Sequence, residues 1–373
     1  MDAKYFPKNY NESRNHFREQ ALALKAQIGE WKIPGQKDDD LYVDHAYWPA
    51  LEKPQTLLVV TSGIHGSETY AGAAILNMFM TEIFKNVDRK NMGVFLVHAL
   101  NPFGFKHHQR TTEAGVNLNR NFSVSGELYK TKNEDSARLH QKFYSRQPVT
   151  SDRSDLIQSI EIKGDSIYFG DISLDQFTKS VSPGQFDGPE NLEYGGKALE
   201  PQTKLLIEKI KSIMPLYQDV VGLDLHSGLG DKNRLHLLTS GSDHDLHPEL
   251  FAKLFHQKED HDIYAFTPAS TEGFYQVKGA LNSMFVELAM PKQRICTITM
   301  EFGTFGHSLD EQLEGLNSSL LSHQGRYYGF ATKELENKIQ KNNFEKSYPQ
   351  TDEWRNAVIA ASRGLFERIL KRV

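Results

Sequence analysis

Short apolar runs alternate with amphipathic segments along this chain, which is the pattern of an α/β protein. Four runs have few polar residues, as expected of buried strands. In chain order they are "QTLLVVTSG" (55–63), "GVFLVHALNP" (93–102), "DVVGLDLHS" (219–227) and "ICTITMEFGT" (295–304). Two further strand patterns are "DLYVDHAYW" (40–48) and "RLHLLTS" (234–240). We therefore expect a mixed, largely parallel β-sheet sandwiched by helices.

Helical patterns fill the spaces between these strands. The first predicted helix runs from Glu12 to Ile28, with an asparagine cap and a closing Gly29. Residues 124–200 are polar and rich in turn residues, which indicates an insertion with some local helix and many turns. We expect residues 1–373 to form one catalytic domain that carries this insertion. Further helices are expected near 64–84, 200–213 and 247–257, and at the C-terminus near 352–371.

The composition is that of an ordinary soluble enzyme, with 39% hydrophobic and 24% charged residues. A formal net charge of −5 lacks the basic footprint of a nucleic-acid-binding protein. The N-terminal segment has no apolar core of a signal peptide, and no apolar stretch has the length of a membrane span. We therefore expect a cytoplasmic protein without nucleic-acid or membrane partners. The single cysteine, Cys296, lies in an apolar run and is expected to be a buried structural thiol.

Three His-x-x-Glu pairs occur in the chain, and their surroundings distinguish them. The pairs that begin at His16 and His256 lie in polar helical segments and are expected on the surface. His65 and Glu68, in "TSGIHGSETYAG" (61–72), directly follow a buried strand. Open α/β sheets bind their ligands at this end of a strand, so this pair is a candidate half of a metal site.

Polar residues also occur near the ends of other predicted strands. His226 could complete the two-histidine, one-carboxylate ligand set of a catalytic zinc, although a hydrogen-bonded strand-end histidine has the same pattern. Glu301 is a carboxylate in an apolar strand, where it needs a partner or a task such as that of a general base. The loop after the second buried strand carries Arg110 and Arg120. Arginine forks bind carboxylates and stabilise oxyanions, although either residue alone could be a surface arginine.

Taken in order, these motifs resemble the zinc carboxypeptidase (M14-like) superfamily. Their wording is most similar to an uncharacterised bacterial branch of it, catalogued as a domain of unknown function. The resemblance covers roughly residues 56–306, through "SGIHGSE", "HALNPFGF", "NLNRNF", "DLHSGLG" and "MEFGT". It implies the carboxypeptidase fold, also described as phosphorylase/hydrolase-like, and one Zn²⁺ per chain.

The resemblance also implies a role for each matched residue. His65, Glu68 and His226 would ligate the zinc. Glu301 would take a proton from the metal-bound water and pass it to the leaving amine. Arg110 would polarise the scissile carbonyl and stabilise the oxyanion.

Substrate binding would fall to residues of two loops. Asn119 and Arg120 would dock a free carboxylate of the substrate. The family also has a mobile tyrosine that closes over the substrate. Tyr275 is the candidate here, with Phe274 and Tyr264 as neighbouring rivals.

The chain departs from the family pattern at Asn117. The motif usually has an aspartate there, which accepts a hydrogen bond from the first zinc histidine. A neutral amide makes His65 a less basic ligand, so we expect weaker zinc retention than in a relative with the aspartate. Asp224 shares a strand face with His226 and could supply a compensating carboxylate. A structural salt bridge of Asp224 is the alternative.

The expected function is that of a zinc-dependent metallopeptidase that hydrolyses an amide bond next to a free carboxylate. Glu301, followed by Gly303 and Thr304, favours this interpretation. An aspartoacylase-like deacylase of N-acyl amino acids shares most of the motifs and stays open, as does a non-catalytic binding domain of the same fold. The substrate would be a small peptide or an acylated amino acid. The sequence leaves open the oligomeric state, and whether the insertion at 124–200 walls the cleft or forms an oligomer contact.

Overall fold

The computed structural model describes residues 2–35, 38, 40–164, 166–239, 247–255, 260–267, 277–306 and 308–373. Helices α1 to α12 are, in chain order, Tyr10–Ala23, Thr69–Met78, Pro102–His107, Glu134–Phe143, Asp155–Gln158, Leu174–Val181, Pro201–Ile213, Pro248–Phe255, Leu281–Glu287, Leu309–Tyr328, Lys333–Ser347 and Asp352–Arg372. Strands β1 to β11 are Gln27–Lys32, Tyr42–Trp48, Thr56–Ser62, Met92–His98, Ile160–Lys163, Ser166–Phe169, Ile172–Ser173, Asp219–Gly228, Leu235–Leu238, Tyr264–Thr267 and Arg294–Gly303.

Eight of these strands form one mixed sheet in the order β1-β2-β4-β3-β8-β11-β9-β10. The four central strands β4, β3, β8 and β11 run parallel to one another. Antiparallel pairing joins β1 to β2, β2 to β4, and β11 to β9. The predicted fold class, a mixed and largely parallel sheet between helices, is therefore confirmed.

The two faces of the central strands pack against different helices. On β3, Leu58 and Val60 belong to an apolar cluster with α2 and α12. Leu57 and Val59 point the other way, into a cluster with α7 and α9. All four side chains are fully buried, which explains why this strand has an uninterrupted apolar sequence. The polar groups at its end are thereby held by a rigid, doubly covered strand.

The first helix is shorter than predicted. It is capped by Asn9, whose side chain accepts from the Glu12 amide, and it ends at Ala23 rather than Ile28. Lys25 has a φ of 60°, which stops the helix, and the chain continues into the edge strand β1. Gly29 therefore is not a helix stop. It pairs with His45 on β2, and a Cβ at Gly29 would lie 2.3 Å from the His45 ring.

The segment 124–200 contains more regular structure than its composition indicates. Strands β5, β6 and β7 form a separate antiparallel sheet, which the sequence did not predict. Phe169, Phe177 and Leu156 pack in an apolar cluster of this segment, and Leu320 of α10 joins them. The small sheet is therefore anchored to the C-terminal part of the chain.

Helices α10 and α11 were also absent from the sequence prediction. In α11, Ile339 is the apolar residue that is buried, so the helix has almost no hydrophobic stripe by which to recognise it. The C-terminal helix α12, in contrast, begins where it was predicted and ends within one residue of the predicted position. Among the described residues, none of the helices combines the length and the apolar character needed to cross a bilayer.

Candidate metal centre

His65, Glu68 and His226 come together at the carboxyl ends of two neighbouring strands. His65 lies three residues beyond β3, Glu68 ends the short helical turn Gly66–Glu68, and His226 lies on β8. Because β3 and β8 are parallel and paired in register up to Ser62 and Leu225, their ends lie side by side. The three ligand atoms lie within 4.8 Å of one another.

The carboxylate of Glu68 lies between the two imidazoles. Its Oε1 is 2.9 Å from Nδ1 of His65, and its Oε2 is 3.1 Å from Nδ1 of His226. The Ser227 amide also donates to Oε2 at 3.1 Å. The side chains of the three candidate ligands are each no more than 5% exposed. Two imidazole nitrogens and a carboxylate converging in a buried site fit a zinc ion, since zinc accepts this donor set and leaves a coordination position for water.

The outer nitrogens of the two imidazoles have different partners. Nε2 of His226 is 2.7 Å from Oδ2 of Asp224, whose other oxygen accepts from the Thr61 hydroxyl. Nε2 of His65 is 3.1 Å from Oδ1 of Asn117. Despite burial, the Asp224 carboxylate raises the pKa of His226 well above its usual value. Burial and the nearby Arg110 lower the pKa of His65 to about 4.

Glu301 faces the cluster from the next strand. It lies directly beside His226 in the parallel pairing of β11 with β8, so both side chains project from the same face of the sheet. Its Oε1 accepts from the Leu229 amide at 3.0 Å, and the residue is 6% exposed. Burial, opposed by His226 and assisted by the Glu68 charge, raises the pKa of Glu301 to about 7. A buried carboxyl group with such a pKa is suited to general acid–base catalysis.

Arg110 reaches the same cluster from the loop after α3. Its Nη1 is 3.2 Å from both Glu68 Oε1 and His65 Nδ1. Asn101 fixes this loop, because its Oδ1 caps α3 and its amide donates to the Arg110 carbonyl. Helix α3 itself approaches Gly66 closely, where a Cβ would lie 2.0 Å from the Gly104 backbone. This approach explains the glycine between His65 and Glu68.

Arg120 is buried and already engaged with an acidic residue. Its side chain is 2% exposed, with Nε donating to the Ser182 carbonyl at 3.0 Å and Nη1 donating to the Asn119 carbonyl at 2.9 Å. Its Nη2 is 2.9 Å from Oε2 of Glu193, which belongs to the segment 124–200. Asn119 lies next to it, and its Oδ1 accepts from the Leu281 amide at 3.1 Å. No motif around Glu193 marked this residue in the sequence.

The last residues of helix α11 contact residues next to the cluster. The Ser347 carbonyl accepts from the Ser227 hydroxyl at 2.5 Å, and the Ser347 hydroxyl accepts from the Ser67 hydroxyl at 3.1 Å. Lys346 is held by the Gly315 carbonyl at 2.7 Å. Burial, reinforced by the charge of Arg110, lowers the pKa of Lys346 to about 8. These contacts were missed in the sequence because α11 itself was not recognised.

The candidate for the closing tyrosine, Tyr275, lies outside the described residues, as do Phe274 and the surface pair that begins at His256. Tyr264 is described. It lies on β10, and its hydroxyl donates to Oδ2 of Asp260 at 2.9 Å, away from the metal ligands. Cys296 is fully buried, as expected of a structural thiol.

The fold and the cluster define a class, that of an α/β protein with a candidate metal centre at the ends of its parallel strands. The chain belongs to the family described as "Protein of unknown function (DUF2817)", whose model matches residues 6–361. The predicted membership of an uncharacterised family of this kind is therefore confirmed. No protein of curated function matches the sequence.

Several solved structures are similar at low sequence identity. Bovine thrombin-activatable fibrinolysis inhibitor, in complex with tick carboxypeptidase inhibitor, is 13% identical over 99% of this chain and 98% of its own, with a TM-score of 0.47. Carboxypeptidase A from Helicoverpa armigera is 13% identical over 92% and 74%, with a TM-score of 0.44. A metallo-carboxypeptidase from Burkholderia cenocepacia is 12% identical over 80% and 61%, also with a TM-score of 0.44.

Proposed function

We propose that this protein is a zinc-dependent hydrolase that cleaves an amide bond, in the manner of a metallocarboxypeptidase. The observation that supports the proposal is the convergence of His65, Glu68 and His226, with Glu301 on the neighbouring strand. A zinc ion held by the three ligands would supply Lewis acidity toward water and toward the substrate carbonyl.

Glu301 and Arg110 have complementary tasks in this proposal. The carboxylate of Glu301 takes a proton from the attacking water and delivers it to the leaving nitrogen, which its raised pKa permits near neutral pH. The guanidinium of Arg110, 38% exposed and beside Glu68, stabilises the negative charge that develops on the carbonyl oxygen. Asp224 and Asn117 hold the two imidazoles in orientation.

Two substrate classes fit an amide hydrolase of this kind. Peptides are the first, as expected for a carboxypeptidase-like site. N-acyl amino acids are the second, because an aspartoacylase-like deacylase would share the His-x-x-Glu pair, the Asn-Arg pair and the late histidine. The resemblance adds a free carboxylate docked by Asn119 and Arg120, but in the structure Arg120 already contacts Glu193. The three candidate ligands and Glu301 support amide hydrolysis. Which chemical group can lie beside the scissile bond depends on Glu193, because it already occupies Arg120.

Metal analysis together with a substrate panel tests the proposal. The purified protein is expected to contain about one zinc per chain, and His65→Ala is expected to contain none. The panel compares N-blocked dipeptides, as free acids and as amides, with N-acyl amino acids. A zinc-free wild type would remove the metal claim. Zinc without turnover on any amide would favour a non-catalytic binding domain instead.

A further inference from the structure

The cationic pocket beside the metal centre holds a carboxylate of the protein itself. This pocket is formed by Arg110, Asn117 and Arg120. Glu193 Oε2 lies 2.9 Å from Arg120 Nη2 and accepts from Asn117 Nδ2 at 2.5 Å, and its Oε1 lies 3.6 Å from Arg110 Nε. Three polar groups of the pocket, all from the connection between α3 and α4, therefore converge on one internal carboxylate.

The backbone holds Glu193 in this position. Its φ is +55°, a conformation that is uncommon for a residue with a side chain, so the surrounding contacts must maintain it. The carbonyl of Glu193 accepts from the Gln185 amide at 3.2 Å, and the next carbonyl, of Tyr194, accepts from the Asn117 amide at 2.7 Å. The second bond ties the segment directly to the residue that orients His65. Glu193 is thus built into the site rather than resting on its surface.

Glu193 changes the charge that a substrate meets. Burial alone would raise its pKa, but the charges of Arg120 and Arg110 lower it to about 2, so the carboxylate is ionised at neutral pH. The Glu193 side chain is 18% exposed and that of Arg120 only 2%, so the carboxylate is more accessible to a ligand than the guanidinium that it contacts. An additional carboxylate at this position would lie against a like charge, and such juxtapositions are strongly unfavourable.

We propose that Glu193 determines specificity by occupying, on Arg120, the position of a substrate carboxylate. The group beside the scissile amide is then neutral or cationic, as in an amidated or internal peptide segment, and not a free carboxylate. This inference rests on the proposed amide hydrolysis and replaces the free-carboxylate expectation drawn from the resemblance. Arg110, which is more exposed, keeps its role at the carbonyl.

Matched substrate pairs test the inference on the wild-type protein. N-acetyl dipeptides are prepared both as free acids and as C-terminal amides, and kcat/KM is measured with zinc content determined in the same samples. We expect the amides to be preferred by about tenfold or more, because of the like-charge repulsion. A tenfold preference for the free acids would overturn the inference and leave the proposed hydrolase intact.

The isosteric variant Glu193→Gln tests the residue directly. It should lower the amide-to-acid ratio by about tenfold or more, and using this ratio cancels any change in zinc occupancy. Glu190→Gln is the matched control, because Glu190 lies in the same segment and its carboxylate instead accepts from the Tyr328 hydroxyl at 2.6 Å. An unchanged ratio in Glu193→Gln, or an equal change in Glu190→Gln, would overturn the assignment.

A binding measurement separates this inference from the proposed catalysis. Calorimetric titration with hexanoate, a free carboxylate that has no amide bond to cleave, needs no turnover. Glu193→Gln should bind it about tenfold or more tightly than the wild type and Glu190→Gln do. Equal affinities in all three proteins would contradict the role of Glu193, whereas tighter binding without any amide hydrolysis would contradict the proposed function alone.

Discussion

The two histidines of the candidate metal centre are oriented by different means. On the strand side, His226 and Asp224 are two residues apart on β8, and imidazole and carboxylate are 2.7 Å apart. On the loop side, His65 contacts the neutral amide of Asn117, whose Nδ2 donates to the Glu193 carboxylate. Each imidazole is therefore linked to a carboxylate. Asp224 contacts His226 directly, whereas Glu193 is linked to His65 through the side-chain amide of Asn117.

This difference gives a physical reason for Asn117. An aspartate at this position would place its carboxylate at the 2.5 Å contact that the amide makes with Glu193, and two carboxylates at that distance repel. An asparagine satisfies both neighbours, because it accepts toward His65 and donates toward Glu193. The departure from the family motif and the acidic residue in the segment 124–200 are therefore two parts of one arrangement.

The largest effect is expected on turnover from Glu301, the proposed base, because both histidines would hold the metal at which it acts. Glu301→Gln should lower turnover by about 10²–10⁴-fold, because the amide cannot take the proton from water. Zinc content should stay at the wild-type level, since Glu301 is not among the three ligands. Steady-state rates and metal analysis on the same preparation check this. Turnover near the wild-type rate would exclude Glu301 as the base. The two histidines could then not be compared as parts of one reaction in which Glu301 takes the proton.

The next largest effect is expected on zinc affinity, from Asp224, the carboxylate that contacts His226 directly. Asp224→Asn should weaken zinc binding by about 10–100-fold, because His226 loses the charge that makes its imidazole a stronger ligand. Competition with a chelator measures the dissociation constant. Thr61→Val is the control, since it removes a hydrogen bond to Asp224 at 2.8 Å but keeps the carboxylate. Unchanged affinity in Asp224→Asn would make Asp224 a purely structural residue.

A smaller effect is expected on the loop side, from exchanging the amide and the carboxylate. In the double variant Asn117→Asp/Glu193→Gln the carboxylate is adjacent to His65, so zinc should bind several-fold more tightly. Asn117→Asp alone should give little or no gain, because the new carboxylate faces that of Glu193. Chelator competition on the wild type, both single variants and the double variant measures the coupling. If Asn117→Asp alone tightened binding as much as the double variant, the proposed relay through the amide would be wrong.

The strand side was the more predictable of the two. Buried strands are recognised by their apolar runs, and polar residues at their ends mark the candidate site, so His226 and Glu301 on their strands could be selected from the sequence, as could His65 and Glu68 just beyond the end of β3. Strand alternation also placed Asp224 on the face of His226. These relations hold over two or three residues, or between the ends of parallel strands, and so are visible in sequence.

The loop side depends on contacts that the local sequence does not encode. Glu193 is 76 positions from Asn117, and a two-residue interaction over such a distance leaves no periodic pattern. The small sheet β5–β7 was missed because its strands have four residues or fewer. Helix α11 was missed because its exposed surface is almost wholly polar. In each case tertiary contacts, rather than hydrophobic periodicity, determine the structure.

The smallest effect on zinc affinity is expected from a buried aspartate outside the site, Asp260. It therefore tests whether the effect of Asp224 is specific to the metal centre. Asp260 is fully buried, and its carboxylate accepts from Arg372 at 2.5 Å and from Tyr264 at 2.9 Å, with Arg368 2.6 Å away. Asp260→Asn should lower the free energy of unfolding by about 1.5–3 kcal/mol at pH 7, yet leave zinc affinity unchanged.

The pH dependence of this loss follows from the ion pairs of Asp260. Burial opposes ionisation, but Arg372 and Arg368 nevertheless lower the pKa of Asp260 below its usual value. Its stabilisation is therefore fully present above the unfolded-state pKa, about 4, and is lost as the pH falls through the lower folded-state pKa. Denaturant unfolding of the wild type and Asp260→Asn at a series of pH values should show their difference shrinking on acidification. If Asp260→Asn weakened zinc binding as strongly as Asp224→Asn, the effect at Asp224 would reflect general destabilisation. Asp224 would then not strengthen zinc binding through its contact with His226.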